Sequence, residues 1–195
     1  LLPWLVSLYD VQDFDTLKAR LIAFAKANPI EEAPFLIGVG WRYFYLPGGR
    51  PTLADIDAIT SDPAFAGRPV FLWDVGQAGW VNSAALQRMQ SDAVKSKVYL
   101  ALGPDIDPAS GKPTGVFREF HAFDPFEFFA IDGAMERKMF ASMHARMAKA
   151  LSFGITTVNE SEVHERFLDT LVKFRAEGGL DKMRLRGSLY ISHQI

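Results

Sequence analysis

The chain has 195 residues, of which 49% are hydrophobic and 23% charged, with a formal net charge of -2 and no cysteine. This composition is typical of a folded soluble protein with a substantial core, and it excludes disulfides and thiolate metal sites. The charge offers no basic surface for nucleic acid or for a membrane. No apolar run approaches the roughly 20 residues that a membrane-spanning helix requires.

These exclusions leave a small molecule as the expected partner, with no nucleic acid and no membrane bound, and they leave homo-oligomer formation open. We expect a cytoplasmic location, since residues 1–8 lack the basic start and the cleavage site of a signal peptide. The chain begins with Leu1 rather than Met and ends on the strand-like stretch LYISHQI. We therefore expect it to be a segment of a longer protein.

The first two thirds of the chain alternate between helical and strand-like patterns. Apolar spacing and capping residues predict helices, whereas short apolar runs predict strands. The predicted elements are helices over 15–26, 52–59 and 84–89, and strands over 35–39, 69–73 and 115–117. Residues 103–114 are rich in proline, glycine and aspartate, which is typical of a loop.

The stretch over 68–89 combines a predicted strand, a glycine-containing polar turn over 74–79 and a helix that Asn82 or Ser83 can cap. A strand, a polar turn and a capped helix start can hold a ligand, but they also form ordinary strand-to-helix connections. Six phenylalanines over 116–129 leave a similar choice, because they suit either a core or a pocket wall.

The last third of the chain predicts helix, strand, helix and strand over 132–153, 155–158, 163–176 and 183–192. The first of these helices carries a methionine every four residues, a pattern that is more typical of a core than of a cofactor contact. The alternation is that of a parallel α/β unit, in which functional sites lie at the carboxyl ends of the strands.

Few side chains stand in a recognisable catalytic pattern. The four histidines form no metal-binding pair, and no nucleophile elbow is present. His193 follows the last predicted strand and can line a site there. Glu119 lies among aromatic residues, where burial would raise its pKa, and Glu160 follows the predicted strand over 155–158. A surface or ion-paired role for either carboxylate stays open.

Five stretches resemble, in order, elements of the YtcJ-like metal-dependent hydrolases of amidohydrolase family 3. They are 38–41 (GVGW), 51–57 (PTLADID), 68–86 (RPV…WVNSAAL), 107–119 (DP…GKPTGV…E) and 151–158 (LSFGITTV). The W-V-N-S-x-A-L and P-T-G-V elements are the most specific of the five.

The resemblance implies an α/β fold: a partial (β/α) metal-hydrolase barrel with a mixed α+β family-specific insertion. It implies that residues 1–130 form the insertion-type subdomain and residues 131–195 the early βα units of a truncated barrel. The activity implied is hydrolysis of amide or related non-peptide C–N bonds by metal-activated water, with zinc or another divalent metal in the full-length parent. The family's metal ligands would lie outside this segment, so we expect no metal bound here and no activity from the segment alone.

Glu119, which the resemblance retains as a pocket residue, is the catalytic candidate because of its aromatic surroundings, whereas the family's own catalytic aspartate would lie beyond Ile195. The substrate-binding candidates are Trp80, Asn82, Gln77 and Trp41, with His193 added from its place after a strand. Gln77 departs from the family, which commonly has histidine there. Because glutamine does not titrate and is a poor zinc ligand, this difference puts metal or proton chemistry at that position in doubt.

Two alternatives remain. The chain could be a non-catalytic small-molecule-binding or interaction domain derived from the same substructure, or a complete small α/β enzyme that uses Glu119 or Glu160.

Overall fold

The computed structural model describes residues 2, 4–42, 46, 49–74, 78–91, 103–118, 133–163 and 165–189. The packing of the backbone divides the chain into two compact units, Leu1–Ala130 (unit 1) and Ile131–Ile195 (unit 2). The assignment of these units to an insertion and to barrel units stays a prediction.

Unit 1 is built on a mixed five-stranded sheet in the order β1-β2-β3-β4-β5. The first three strands run parallel, and β4 and β5 are added antiparallel. Its elements are β1 (Leu5–Ser7), α1 (Phe14–Ala27), β2 (Leu36–Trp41), α2 (Leu53–Thr60), a 3₁₀ turn (Pro63–Phe65), β3 (Val70–Asp74), β4 (Ala78–Val81), α3 (Ser83–Ser91) and β5 (Val116–Arg118).

The two crossover helices begin at residues that cap their free amides. The Asp13 carboxylate accepts hydrogen bonds from the backbone N and the hydroxyl of Thr16 at the start of α1. At α2, Thr52 and Asp55 form a reciprocal capping box. Helices α1 and α2 contact each other, and their apolar faces are buried. Each of the two helices connects a pair of neighbouring parallel strands, as parallel pairing requires. The predicted alternation of helix and strand is therefore confirmed for α1, β2, α2 and β3.

The hairpin between β3 and β4 differs from the prediction. The sequence predicted a polar turn over 74–79 that leads directly into a helix, but β4 pairs antiparallel with β3 from Gly79 to Val81. β4 is only four residues long and contains Gly79, so it lacks the longer apolar run that predicts a strand. It forms because its backbone pairs with β3 on one side and β5 on the other. The α/β class is confirmed, and closure into a barrel stays a prediction.

Unit 2 consists of α4 (Gly133–Ser152), β6 (Thr157–Val163), α5 (Glu165–Ala176) and β7 (Arg184–Leu189). Strands β6 and β7 pair in parallel, as the predicted alternation requires. The rings of Phe140 on α4 and Phe174 on α5 lie 5.2 Å apart, and both side chains are buried. Of the methionine stripe on α4, Met135 is buried and the other three members are half-buried.

The prediction that Glu160 follows a strand was wrong. β6 continues to Val163, and Glu160 lies opposite Gly187 of β7 within the ladder. Polar residues can extend a strand where the pairing with a neighbour, rather than side-chain burial, satisfies the backbone.

Within the described ranges, no helix combines the length and the apolar character needed to cross a membrane.

Gly115 is the position in unit 1 where an added methyl group should do most harm. Its φ is +77°, and a Cβ there would lie 2.6 Å from the carbonyl oxygen of Val81. We expect Gly115→Ala to lower the free energy of unfolding by about 2–4 kcal/mol, from the left-handed backbone and from the clash. Urea denaturation measures this loss.

Gly111→Ala is the matched control, since Gly111 has a φ of +66° but no atom within 4 Å of an added Cβ. Gly111→Ala should lower the free energy of unfolding by only about 1 kcal/mol, which is the cost of the left-handed backbone without a clash. Equal losses for the two variants would contradict the close approach of Gly115 to β4.

Candidate functional site

Trp41, the last residue of β2, and Trp80 in β4 form a buried aromatic pair. Their ring centroids lie 5.3 Å apart, and both side chains are 0% exposed. The indole Nε1 of Trp80 donates a hydrogen bond of 3.1 Å to the carbonyl oxygen of Thr52, at the start of α2. The pair therefore joins the sheet to α2.

Asn82 connects three elements through its buried amide. Its Oδ1 accepts hydrogen bonds of 3.0 Å from the backbone N of Val70 and from that of Ala85, so it both extends β3 and caps α3. Its Nδ2 donates to the carbonyl of Arg68 at 3.2 Å and to the Thr60 hydroxyl at 3.3 Å. The side chain is only 3% exposed, and both ends of the amide are used.

Ser83 and Asp57 link the same region to α2. The Asp57 carboxylate accepts hydrogen bonds from the Ser83 backbone N at 2.8 Å and from the Ser83 hydroxyl at 2.5 Å. Two of the family-like stretches, 51–57 and 68–86, are thus bound to each other through Asp57–Ser83 and through Thr52–Trp80.

Arg68 is a buried cation held by backbone carbonyls. Its side chain is 2% exposed, and its guanidinium donates to the carbonyl oxygens of Phe65, Asn28, Ala33, Ala25 and Ala64 at 2.7–3.2 Å. Burial lowers the pKa of Arg68, and the charge of Glu31 opposes that shift. An arginine keeps its proton in proteins despite such a shift.

These contacts give the family-like residues Trp41, Trp80 and Asn82 a defined place in the fold, with little surface left to touch a ligand. A substrate contact by any of them stays a prediction. The other predicted site residues, Glu119, Gln77 and His193, lie outside the described residues.

Metal ligands do not cluster in the part of the chain that the structure describes. There, no group of three or more histidine, aspartate or glutamate side chains could hold a metal ion. His144 packs instead against the ring of Phe174 at 4.7 Å, as expected for a helix-surface histidine. The described residues therefore do not fit a metal centre.

Unit 1 contains an open cleft of about 530 Å³. The sequence did not predict a site at this cleft. Its walls come from two family-like stretches, 51–57 and 107–119, together with the turn before α2 and the loop before β5. The lining side chains that carry charge or a hydroxyl are Arg50, Thr52, Asp105, Asp107, Thr114 and Arg118. The proline- and glycine-rich composition of residues 103–114 marked the loop, but not its approach to Arg50.

The charged groups of the cleft are balanced, with two arginines and two aspartates. Arg118 Nε donates to Asp105 Oδ2 at 2.7 Å in an exposed ion pair. The Asp107 carboxylate accepts bonds from the Ser110 hydroxyl and from the amides of Ala109 and Ser110. Those bonds, the Ser110 hydroxyl first, lower the pKa of Asp107, and the charge of Arg50 adds to the effect.

Replacing Arg68 tests whether one buried cation holds this region. Arg68→Met removes all five donors and leaves buried carbonyls without partners. We expect the free energy of unfolding to fall by about 3–5 kcal/mol, the usual range for removing one side of a buried charged network. Chemical denaturation followed by circular dichroism measures the change.

Arg20→Met is the control, because Arg20 pairs with Asp10 on the surface at 3.0 Å. The control should be far less destabilised, since water replaces an exposed ion pair readily. Comparable losses would show that the carbonyl contacts of Arg68 are not what stabilises unit 1.

Replacing Asn82 separates its structural contacts from a substrate contact. Asn82→Ala should lower the free energy of unfolding by about 2–4 kcal/mol without any ligand, from the lost helix cap and the unpaired groups at Val70 and Arg68. Ser83→Ala, which loses one exposed hydrogen bond, should be clearly milder. An Asn82→Ala variant as stable as the parent chain, but weaker in ligand binding, would assign Asn82 to the substrate instead.

Two uncharacterized metal-dependent hydrolases of known crystal structure superpose on the chain. That from Pyrococcus horikoshii OT3 superposes with a TM-score of 0.55 and 19% sequence identity, over 96% of this chain and 34% of that one. That from Pyrococcus furiosus gives a TM-score of 0.49 and 23% identity, over 95% of this chain and 34% of that one. No protein-family model and no curated protein matches the chain. The chain thus spans about a third of the length of these hydrolases, and it shares its fold with that part of the Pyrococcus horikoshii protein.

Proposed function

We propose that this chain is part of a metal-dependent hydrolase of the YtcJ-like type, which cleaves amide or related non-peptide C–N bonds. The observation that carries the proposal is the shared fold, because 96% of the chain superposes on about a third of a metal-dependent hydrolase. The five ordered sequence stretches support the same family independently of the fold.

The exposure of unit 2 supports its role as the early part of a larger parallel barrel. Five of the six residues of β7 are exposed, and Ile155 and Leu189 are 46% and 60% exposed. Parallel sheets are normally covered on both faces, and a two-stranded sheet is rarely stable alone. Further strands and helices of the parent protein would bury these surfaces.

The metal of the parent enzyme, zinc or another divalent ion, is proposed to bind to residues beyond this segment. The described residues do not fit a metal centre, so no step of the reaction is assigned to them. Glu119 remains the proposed catalytic carboxylate, and Gln77 and His193 remain proposed substrate contacts. For Trp41, Trp80 and Asn82 we propose an indirect part, in which they position the neighbouring backbone.

The proposal is tested on the full-length parent protein and on this 195-residue chain side by side. Full-length protein supplied with zinc should hydrolyse members of a panel of N-acyl and cyclic amides, and a chelator should abolish turnover until zinc is restored. The isolated chain should show no turnover under the same conditions, and a folded signal in circular dichroism serves as its control. Turnover by the isolated chain, with or without zinc, would overturn the proposal.

Binding of a panel member by the full-length protein without hydrolysis, at any metal content, would favour the non-catalytic binding domain instead. The same measurement therefore separates the two functions.

A further inference from the structure

The cleft of unit 1 contains one cation with no partner among the described residues. Arg50 is exposed on the cleft wall, and within the described part of the chain no hydrogen bond or ion pair engages its guanidinium. The charge of Arg50 helps to lower the pKa of the Asp107 carboxyl, so the two groups interact electrostatically. A guanidinium group that is not engaged by a carboxylate of the protein can bind the planar carboxylate of a ligand through two parallel hydrogen bonds.

The remaining charges limit what can bind beside Arg50. Asp105 keeps its Oδ1 outside the ion pair with Arg118, and Asp107 lies on the same cleft. Arg118 is already paired with Asp105, so it offsets part of that carboxylate's charge. A simple anion would still be attracted by Arg50 and repelled by the aspartates, and a simple cation would be attracted by the aspartates and repelled by the two arginines. A ligand that carries one charge of each sign satisfies both groups.

Apolar surface is also available in the cleft. Ile106 is 55% exposed, and it lines the cleft together with the exposed Pro108 and the buried Pro51. A volume of about 530 Å³ falls within the range of small-molecule sites, about 300–1,000 Å³. The cleft can therefore hold an apolar group beside a pair of opposite charges.

We propose that this cleft binds a small zwitterion with an apolar side group, of the α-amino-acid class. The ligand carboxylate lies against Arg50, its ammonium faces Asp105 and Asp107, and its side group packs on Ile106. The inference does not depend on the proposed hydrolase function, because the residues that carry it all belong to the described part of unit 1.

The test measures binding of leucine to the 195-residue chain by calorimetry and by chemical-shift titration. Two matched probes each lack one charge: leucinamide has no carboxylate, and N-acetylleucine has no ammonium. Leucine should bind saturably, and each probe should bind about tenfold more weakly, because it loses a charge-assisted contact. Equal affinity for all three compounds, or no saturable binding of leucine, would overturn the proposal.

Arg50→Gln should weaken leucine binding about tenfold and leave the weaker binding of leucinamide unchanged. Arg42→Gln is the control, since Arg42 is an exposed arginine at the end of β2 that does not line the cleft. Both variants remove one positive charge from an exposed position, and their melting curves should match that of the parent chain. Equal weakening by the two variants would mean that overall charge rather than the cleft binds leucine.

Binding is measured on the isolated chain and hydrolysis on the full-length protein. A failure of either result therefore leaves the other inference standing.

Discussion

The buried guanidinium of Arg68 is the contact on which the architecture of unit 1 most depends. A charge taken out of water is costly unless it is paired, and here five backbone carbonyls take the place of a carboxylate. Some of those carbonyls lie at the carboxyl end of α1, where the helix dipole favours a cation. Of the others, Ala64 and Phe65 belong to the 3₁₀ turn and Ala33 to the loop before β2, and buried carbonyls at such places need a donor. A lysine could not replace this group, because its ammonium has three donors rather than a planar set of five.

The stabilising contacts continue from Arg68 into the sheet through Asn82. The Arg68 carbonyl accepts a hydrogen bond from the Asn82 amide, which also fixes the start of β3 and the start of α3. Trp80 and Ser83, on either side of Asn82, bond to α2 through Thr52 and Asp57. Two of the sequence stretches that resemble a hydrolase family, 51–57 and 68–86, therefore supply contacts that hold unit 1 together. Such residues identify an architecture more directly than they identify a reaction, because their polar atoms bond to the protein itself.

Local features of the fold could be read from the sequence, whereas features that depend on distant contacts could not. A cap at Asn82 or Ser83 and a helix capped by Thr52 were predicted, because side-chain capping acts within a few residues, and the structure has Asn82 as the cap. The role of Arg68 was not, since its acceptors lie as far as 43 positions away along the chain. The strand β4 was hidden for the same reason, as its stability comes from β3 and β5 rather than from its own pattern. The cleft likewise depends on the loop before β5 meeting Arg50, which no spacing within either segment reveals.

The two units differ in how far each can form a site from its own residues. In unit 1 the sheet has five strands, and its apolar side chains are buried, so the cleft rests on a completed core. In unit 2 the parallel pair β6–β7 ends at Val163 and Leu189, and Leu189 is 60% exposed. Sites in parallel α/β folds draw groups from the carboxyl ends of several neighbouring strands. Two described strands provide only two such ends, so the proposed hydrolysis at that edge would draw on further strands of the proposed parent protein. Recognition of a small zwitterion requires only residues that unit 1 already holds in place.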